Sequence, residues 1–318
     1  MKKIKILINC HKQTERLHDD IFTPILAGSA FADASLKEAF ADDFHDDMGD
    51  NIARLHPYSA ELTAIYWAWK NYDRLGDPDY IGLFHYRRFF NFSFRLPETD
   101  NWKCAFFDFD KATRDRFGWD REHIEAMCDG AELILPDLEQ ITDPRDWQTP
   151  CDLETHFKRQ HVPESLDRAA ELIREKYPDY AGAVDAALRS YTGHFCNLFI
   201  MKRELFFDYA QWLFGIILPL EKLLPVSDPK YDNPEQRRVL GFLGERLFNI
   251  WITEKTAEGV TIRETQRLTG YLTDADRSYF RSTYGAETYR RCLEASKLEA
   301  AERRNAFDVL RDDPKADA

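Results

Sequence analysis

The sequence has no long apolar run, and this excludes a conventional membrane-spanning helix. Such a helix needs about 20 consecutive apolar residues, whereas the most apolar stretch, residues 212–225, is interrupted by proline and by two charges. The opening MKKIKILINCHKQ places lysines before apolar residues, but its apolar run is too short for a signal peptide. For residues 212–225 a core helix and a membrane-surface helix both remain open, because an amphipathic pattern fits either.

Paired cysteines and common cofactor motifs are also lacking. No C-x-x-C pair occurs, which argues against a zinc knuckle or a disulfide framework and predicts reduced thiols in a cytoplasmic protein. The sequence contains no P-loop, no G-x-G-x-x-G and no histidine-rich metal spacing. The six cysteines are Cys10, Cys104, Cys128, Cys151, Cys196 and Cys292.

Positive charge is in deficit, since 43 lysines and arginines face 56 aspartates and glutamates, for a net charge of −13. A general nucleic-acid surface is therefore not expected. Any anion site must be a local basic island. The 44% of hydrophobic residues is enough for a substantial core, which excludes disorder over most of the chain.

The order of elements predicts an α/β fold. IKILINC (4–10) is typical of a first strand, residues 56–76 predict a helix of about four turns ending at Gly76, and YIGLF (80–84) follows as a strand. A strand, a helix and a strand joined by short loops indicate a parallel layer. Further on we expect a short strand ending at Pro136, two amphipathic helices over 152–190, a strand FCNLFIM (195–201), and a buried helix or segment VLGFLGERLFNIWI (239–252).

Polar side chains cluster at three predicted strand ends. His11 and Lys12 follow the first strand, His85-Tyr86-Arg87-Arg88 follows the next, and His194 and Asn197 flank the start of a later one. Ligands of parallel sheets bind at the carboxyl ends of strands. An arginine fork can bind phosphate oxygens in a bidentate manner. Adjacent residues of an extended chain point to opposite faces, so Arg87 and Arg88 serve one pocket only if the chain turns there. A structural arginine pair and ordinary strand-end hydrogen bonds are the alternatives.

Several acidic and amide residues are candidates with a structural alternative. Glu245 lies inside an apolar segment, where a carboxylate is costly unless it is paired, for example with Arg246, or functional. Glu61 is near the start of a helix and is either a site residue or a partner of the helix dipole. Asp50 and Asn51 end an acidic run and either bind a ribose or base or belong to a solvated loop.

Four segments together resemble a known family. They are GDNIARLHPYSAELTAIYWAWKN (49–71), DYIGLFHYRRFF (79–90), GHFCNLFIMKRELFFDYAQWLF (193–214) and GFLGERLFNIWI (241–252). They are similar to the bacterial polysaccharide-biosynthesis family catalogued as domain of unknown function 4422, over roughly residues 4–255 in consistent order. The family is regarded as glycosyltransferases of the GT-A fold in capsule, exopolysaccharide and O-antigen pathways, and some members transfer galactofuranose from its uridine diphosphate.

The resemblance implies a Rossmann-like, mostly parallel sheet flanked by helices, with helical C-terminal additions. It divides the chain into a nucleotide-sugar half (1–110), an acceptor half (111–270) and a helical extension (271–318). The implied donor is a UDP-sugar, favoured as UDP-galactofuranose, and the implied acceptor is a glycan that is lipid-linked. The implied location is the cytoplasm, with peripheral contact at the inner face of the plasma membrane or with other assembly enzymes.

Roles follow from the chemistry of an inverting transfer to a hydroxyl, which needs a carboxylate base on the acceptor side and charge stabilisation on the leaving-group side. Glu245 is the first candidate for the base, with Asp50 and Glu61 as alternatives, and Arg87 and Arg88 are candidates for binding the diphosphate. His85 and Tyr86 are secondary candidates for the diphosphate. Candidates for the nucleotide and donor side are His11, Asp50, Asn51 and Glu61. Sugar or acceptor candidates are His194, Asn197 and Arg246.

Many GT-A enzymes hold a divalent metal through Asp-x-Asp at the strand end, and here His85 to Arg88 stand in its place. We therefore expect no metal. Mn²⁺ or Mg²⁺ is the alternative, and Asp108–Asp110 is a nominal Asp-x-Asp that lies well past the strand. Two other functions remain open: an inactive glycan-binding or scaffold relative, and a metal phosphoesterase built on residues 42–50.

Overall fold

The structure is a computed structural model that describes residues 1–93, 95, 109–224, 231, 233–270, 274–287 and 290. Thirteen strands lie in these residues: β1 Ile4–Cys10, β2 Phe22–Leu26, β3 Phe44–His45, β4 Tyr80–His85, β5 Arg88–Phe90, β6 Leu133–Pro136, β7 Glu139–Gln140, β8 Thr142–Asp143, β9 Asp146–Pro150, β10 Thr192–Gly193, β11 Phe199–Lys202, β12 Ile262–Thr265 and β13 Arg267–Thr269.

Twelve α-helices lie in the same described residues, besides short 3-10 turns. They are α1 Ala34–Ala39, α2 His56–Ser59, α3 Leu62–Lys70, α4 Lys111–Phe117, α5 Arg121–Cys128, α6 Leu153–Gln160, α7 Pro163–Lys176, α8 Ala181–Leu188, α9 Arg203–Leu223, α10 Pro234–Arg237, α11 Val239–Ala257 and α12 Asp274–Tyr284.

One mixed sheet organises the chain, with strand order β12-β6-β11-β4-β1-β2-β3. β1, β2, β3 and β4 run parallel, β11 runs antiparallel to both β4 and β6, and β12 is parallel to β6. The carboxyl ends of β1 to β4 and β6 therefore share one edge of the sheet with the start of β11. β5 pairs with β4 and β13 at that same edge.

Both faces of the sheet are covered, as expected for largely parallel strands. Along β4, Ile81 and Leu83 face a large apolar cluster formed with α3, α9 and α11, whereas Tyr80 and Phe84 face a second, aromatic cluster. Because both faces are packed, polar side chains can collect only at the ends of the strands.

The predicted fold class is confirmed, since a mostly parallel sheet is flanked by helices and a helical segment follows it. The strand ending at Pro136 is also confirmed. The division into halves stays a prediction, and strands from both sides of residue 110 belong to the one sheet. The tail beyond residue 290 lies outside the described residues.

Four local predictions differ from the structure. The strand predicted over residues 195–201 is β11, which begins only at Phe199. The four-turn helix is interrupted at Ala60, whose backbone has φ 46° and ψ −126°, so that α2 and α3 are separate helices. Residues 152–190 hold three helices rather than two. Residues 212–223 lie in α9, which buries its apolar side in the large core, so the core-helix interpretation is the better one. None of the described helices combines the length and hydropathy needed to cross a bilayer.

Candidate active site

The HYRR segment forms a tight hairpin at the carboxyl end of β4. His85 pairs with Arg88, and Tyr86 and Arg87 make the two-residue turn between β4 and β5. The Tyr86 amide donates to the carbonyl of Asn9 at 3.1 Å, which ties the turn to the end of β1. The chain therefore does turn at the two arginines, and both lie at the ligand-binding edge of the sheet.

The two arginines differ in their surroundings. Arg87 has Asp276 of α12 at 3.9 Å, and Lys12 has the same carboxylate at 3.8 Å. Arg88 is partly buried, and its side chain makes no hydrogen bond or ion pair within the described part of the chain. Burial lowers the pKa of His85, and the Arg88 charge lowers it further. Burial raises the pKa of Glu61, and the Arg88 charge opposes that rise. A partly buried guanidinium that lacks a partner among the described residues favours an anionic ligand.

Further cations and histidines lie along this edge. The His11 ring contacts Tyr86 edge to face, with centroids 5.2 Å apart. Burial, followed by the charges of His56, Lys12, Arg87 and Arg238, lowers the pKa of His11 to about 4. The ring keeps solvent contact, so its desolvation is partial. We call Lys12, Arg87, Arg88 and Arg238 the cationic edge. It is the local basic island that an anion site in this acidic protein requires.

A strained corner stands opposite the arginines. Cys196 and Asn197 both have positive φ, 75° and 49°, just before β11. A non-glycine residue in this left-handed backbone conformation costs of order 1–3 kcal/mol, and such strain is concentrated at functional sites. The corner is held by its own hydrogen bonds. The Cys196 carbonyl accepts from His85 Nε2 at 2.8 Å, and Arg267 donates to the Cys196 sulfur at 2.9 Å.

The same corner holds two carboxylates. The Cys196 amide donates to Glu245 Oε1 at 3.1 Å, and Asn197 Nδ2 donates to Glu61 Oε1 at 2.7 Å. Burial raises the pKa of Glu61, and the Glu245 charge raises it further, while Asn197 and Arg88 act in the opposite direction. Glu61 and Glu245, 184 positions apart in the sequence, are thus electrostatically coupled at one site. We call them the carboxylate pair.

Glu245 is both ion-paired and part of this site. Arg246 NH1 donates to Glu245 Oε2 at 2.8 Å, and Arg246 NH2 lies 3.0 Å from His156 Nδ1. Arg246 is almost fully buried, and burial lowers its pKa, with Glu245 opposing that shift. Arg246 therefore orients the Glu245 carboxylate through Oε2. Glu245 can be half of a structural ion pair and a site residue at the same time.

Close helix packing brings the pair together. Gly244 of α11 lies against Leu62 of α3, and a Cβ at Gly244 would be 2.8 Å from Leu62 Cδ2. Since interiors are close-packed, a larger residue there must displace the Leu62 side chain or push α11 away from α3. The position of Glu245 relative to Glu61 depends on this glycine.

Gly244→Val is accordingly expected to lower the free energy of unfolding by about 1–3 kcal/mol, as for an overpacked core. Activity should fall by more than the unfolded fraction explains, because α11 carries Glu245. Urea unfolding and assays on the folded fraction measure both. Gly182→Ala is the control, since Gly182 is an exposed helix position with no atom within 4 Å of an added Cβ. A Gly244→Val variant as active per folded molecule as wild type would contradict this positional role.

The remaining predicted residues lie apart from the carboxylate pair. Asp50 is beside Asn71 and Tyr66, towards the carboxyl end of α3, about 15 Å of helix rise from Glu61. The Asn51 side chain donates to the carbonyls of its own turn. His194 is buried further along the sheet, with Nδ1 2.8 Å from the Pro136 carbonyl. The structure therefore brings together His11, His85 to Arg88, Glu61, Asn197, Glu245 and Arg246, and leaves Asp50, Asn51 and His194 outside this group.

The acidic run 42–50 is engaged in structural contacts. Asp46 is fully buried and accepts from the amides of Gly28 and Ser29 and the hydroxyls of Ser29 and Thr63. Asp43 holds Arg16. Across the part of the chain that the structure describes, no three His, Cys, Asp or Glu side chains form a metal-binding group. The phosphoesterase hypothesis therefore gains no support from this segment.

The nominal Asp-x-Asp is only half described. Asp110 caps α4 by accepting from the Thr113 amide at 2.8 Å, whereas Asp108 lies outside the described residues. A metal would need several oxygen ligands, and Asp110 uses one oxygen in this cap.

Sequence reasoning missed His56, Arg238 and Arg267. His56 packs on Gly28, whose φ of 75° and contact with the imidazole both require glycine. Arg238 directly precedes α11 and its charge reaches His11 and His56. Its position at the start of the apolar segment containing Glu245 was the available signal. Arg267 had no local signal, because its partners Cys196 and Glu139 are far away in sequence.

The buried histidines predict acid sensitivity. Burial lowers the pKa of three histidines, and a nearby arginine lowers it further. With Arg88 beside it, His85 has a pKa of about 3. With Arg246 nearby, the pKa is about 3 for His161 and about 4 for His156. The unfolded chain binds these protons near the ordinary histidine pKa of 6.5. Between about pH 6.5 and 4 it therefore binds more protons than the folded chain, and stability falls as pH falls. Glu61, with a raised pKa, contributes in the opposite direction.

We expect urea unfolding to show this decline between about pH 7 and pH 5. His161→Phe should reduce its slope, because the ring stacks on Phe242 at 4.0 Å and phenylalanine keeps the packing without the proton. Gly182→Ala, at an exposed position and without a change in any titratable group, is the control. An unchanged slope in His161→Phe would show that His161 is not one of the groups responsible.

A mostly parallel α/β sheet with cations and carboxylates at its carboxyl edge belongs to the class of α/β proteins that bind ligands beyond the strand ends. Residues 5–256 match the family described as domain of unknown function 4422, and the chain belongs to that family. A solved apo structure of WbbM, described as a bifunctional glycosyltransferase, is 30% identical and has a TM-score of 0.75 to this chain. That match covers 84% of this chain and 45% of the WbbM chain, so this chain spans less than half the length of WbbM. No protein of curated function matches the sequence.

Proposed function

We propose that the protein is a glycosyltransferase that moves a sugar from a UDP-linked donor to a bacterial capsule, exopolysaccharide or O-antigen glycan. The observation that carries this proposal is Arg88, unpartnered among the described residues, beside the coupled carboxylates Glu61 and Glu245. The fold shared with WbbM, a glycosyltransferase, supports the same reaction class. The family resemblance favours UDP-galactofuranose as the donor.

The chemistry needs a base on one side and charge stabilisation on the other. In an inverting transfer, Glu245 removes the proton from an acceptor hydroxyl, whose oxygen attacks the anomeric carbon. The bond from that carbon to the diphosphate oxygen breaks, and UDP leaves with the electron pair. Arg88, with Arg87 and Lys12 beside it, stabilises the departing diphosphate.

The other residues hold this arrangement. Glu61 accepts from Asn197 at 2.7 Å and keeps its second oxygen for a donor-sugar hydroxyl. His85 donates to the Cys196 carbonyl and stays neutral, because burial and Arg88 lower its pKa to about 3. The lipid-linked acceptor and a peripheral position at the inner membrane surface belong to the same proposal.

Nucleotide binding tests the donor assignment. UDP is expected to raise the melting temperature, since a ligand that binds only the folded state stabilises it by mass action. CDP, GDP and ADP should raise it clearly less. Differential scanning fluorimetry with the four nucleotides at one concentration is the measurement, and equal shifts from all four would contradict the uridine assignment.

A further inference from the structure

A cavity of about 450 Å³ lies one helical turn beyond Glu245, between α8, α11 and β12. Its volume is in the range of small-ligand sites. Ile252 and Ile262 form apolar wall, and Thr192 and Thr253 add hydroxyls. Leu138, which also lines it, is 46% exposed, so the cavity opens to solvent. An apolar wall with several hydroxyls suits a ligand with one hydrocarbon side and many polar groups.

The polar wall of the cavity presents two acceptors side by side. His194 Nδ1 lies 2.8 Å from the Pro136 carbonyl, and because a carbonyl only accepts, Nδ1 carries the proton. Burial lowers the pKa of His194 to about 4, so the ring is neutral at neutral pH. Nε2 is then an acceptor, and it lies 3.5 Å from Glu264 Oε1, a second acceptor. A ligand hydroxyl placed between them can donate its proton to either acceptor.

The cavity shares its walls with the carboxylate pair. Asn249 lines it and donates to the carbonyls of His194 and Glu245, each at 2.8 Å. Glu245 is one turn earlier on the same face of α11, about 6 Å of helix rise away. His194 is two residues from Cys196, whose amide holds Glu245. A ligand in the cavity therefore lies about one turn of α11 from Glu245, the proposed base.

We propose that the cavity is an acceptor subsite that binds a neutral sugar ring, with a ring hydroxyl donating between His194 Nε2 and Glu264. The hydrocarbon face of the ring packs on Ile252 and Ile262. Glu264 repels carboxylate-bearing sugars, which sets the preference for neutral ones. This inference deepens the proposed function and rests on it.

Saturation-transfer NMR tests the binding directly with methyl β-D-galactopyranoside, methyl β-D-galactofuranoside and glucuronic acid as probes. At least one neutral glycoside should give a signal at millimolar concentration, and glucuronic acid should not. Thr253→Trp, which fills the cavity, should abolish the signal, whereas Glu254→Trp, at the neighbouring position outside the cavity, should keep it. Glu264→Gln should weaken binding roughly tenfold, because its amide can itself donate to His194.

Catalytic coupling provides the second readout. The glycoside that binds should accelerate UDP release from UDP-galactofuranose by wild type but not by Thr253→Trp, while UDP binding stays unchanged in both. No glycoside signal in a protein that binds UDP would overturn the subsite alone, as would equal binding by Thr253→Trp. A bound glycoside that leaves UDP release unchanged would overturn its role as acceptor. Failure of wild type to bind UDP would instead count against the proposed function.

Discussion

Glu245→Gln is expected to lower sugar transfer by about 10²–10⁴-fold, the usual contribution of a general base, while UDP binding stays nearly intact. Glutamine keeps the shape and can still accept from the Cys196 amide at the place where Glu245 does. The change therefore removes mainly the proton acceptor. Rates of UDP-galactofuranose consumption, together with UDP titration of the same variant, separate chemistry from binding.

Two companion variants sharpen this result. Glu254→Gln replaces a partly buried glutamate on the same helix and should retain full activity. Glu61→Gln should reduce activity mainly through donor binding, and thus raise KM for the UDP-sugar. If Glu245 serves only as half of the ion pair with Arg246, its replacement should cost about 3–5 kcal/mol of stability. A Glu245→Gln variant that is stable and fully active would remove Glu245 from the site.

Arg88→Ala is expected to produce the second large loss, about 10²–10³-fold in transfer, as for removal of a preorganised donor to a developing charge. Arg88 has no protein partner among the described residues, so the folded state should lose little by the change. Arg87→Ala should be milder, because Arg87 already faces Asp276 at 3.9 Å. Turnover and urea unfolding of both variants test this order.

Charge geometry and metal dependence complete the test. Arg88→Lys should rescue poorly, because a point charge does not reproduce the bidentate fork. Transfer should persist in EDTA if arginines, rather than a metal, neutralise the diphosphate. Activity that EDTA abolishes and manganese restores would contradict this role for HYRR and return attention to Asp108–Asp110 or another carboxylate group.

Strand positions were predictable because their signals are local. Apolar runs predicted β1, β4 and β6, since strands buried on both faces need continuous apolar sequence. The break at Ala60 was not predictable, because alanine is the best helix former. The close approach of α11, where a Cβ at Gly241 would meet that of Ala60 at 3.3 Å, accompanies this break. Tertiary packing overrides propensity there.

The candidate site also combines features that the sequence predicts with features that depend on the tertiary structure. The sequence by itself determined that His11, Lys12 and HYRR follow buried strands, because polar groups are costly inside a doubly covered sheet. Only the tertiary structure decided that Glu61 and Glu245 meet at the Cys196–Asn197 corner, that Arg88 lacks a partner in the described chain while Arg87 does not, and that Asp50 lies at the far end of α3. These relations depend on how helices pack across the sheet, and contacts between residues distant in sequence leave no local pattern.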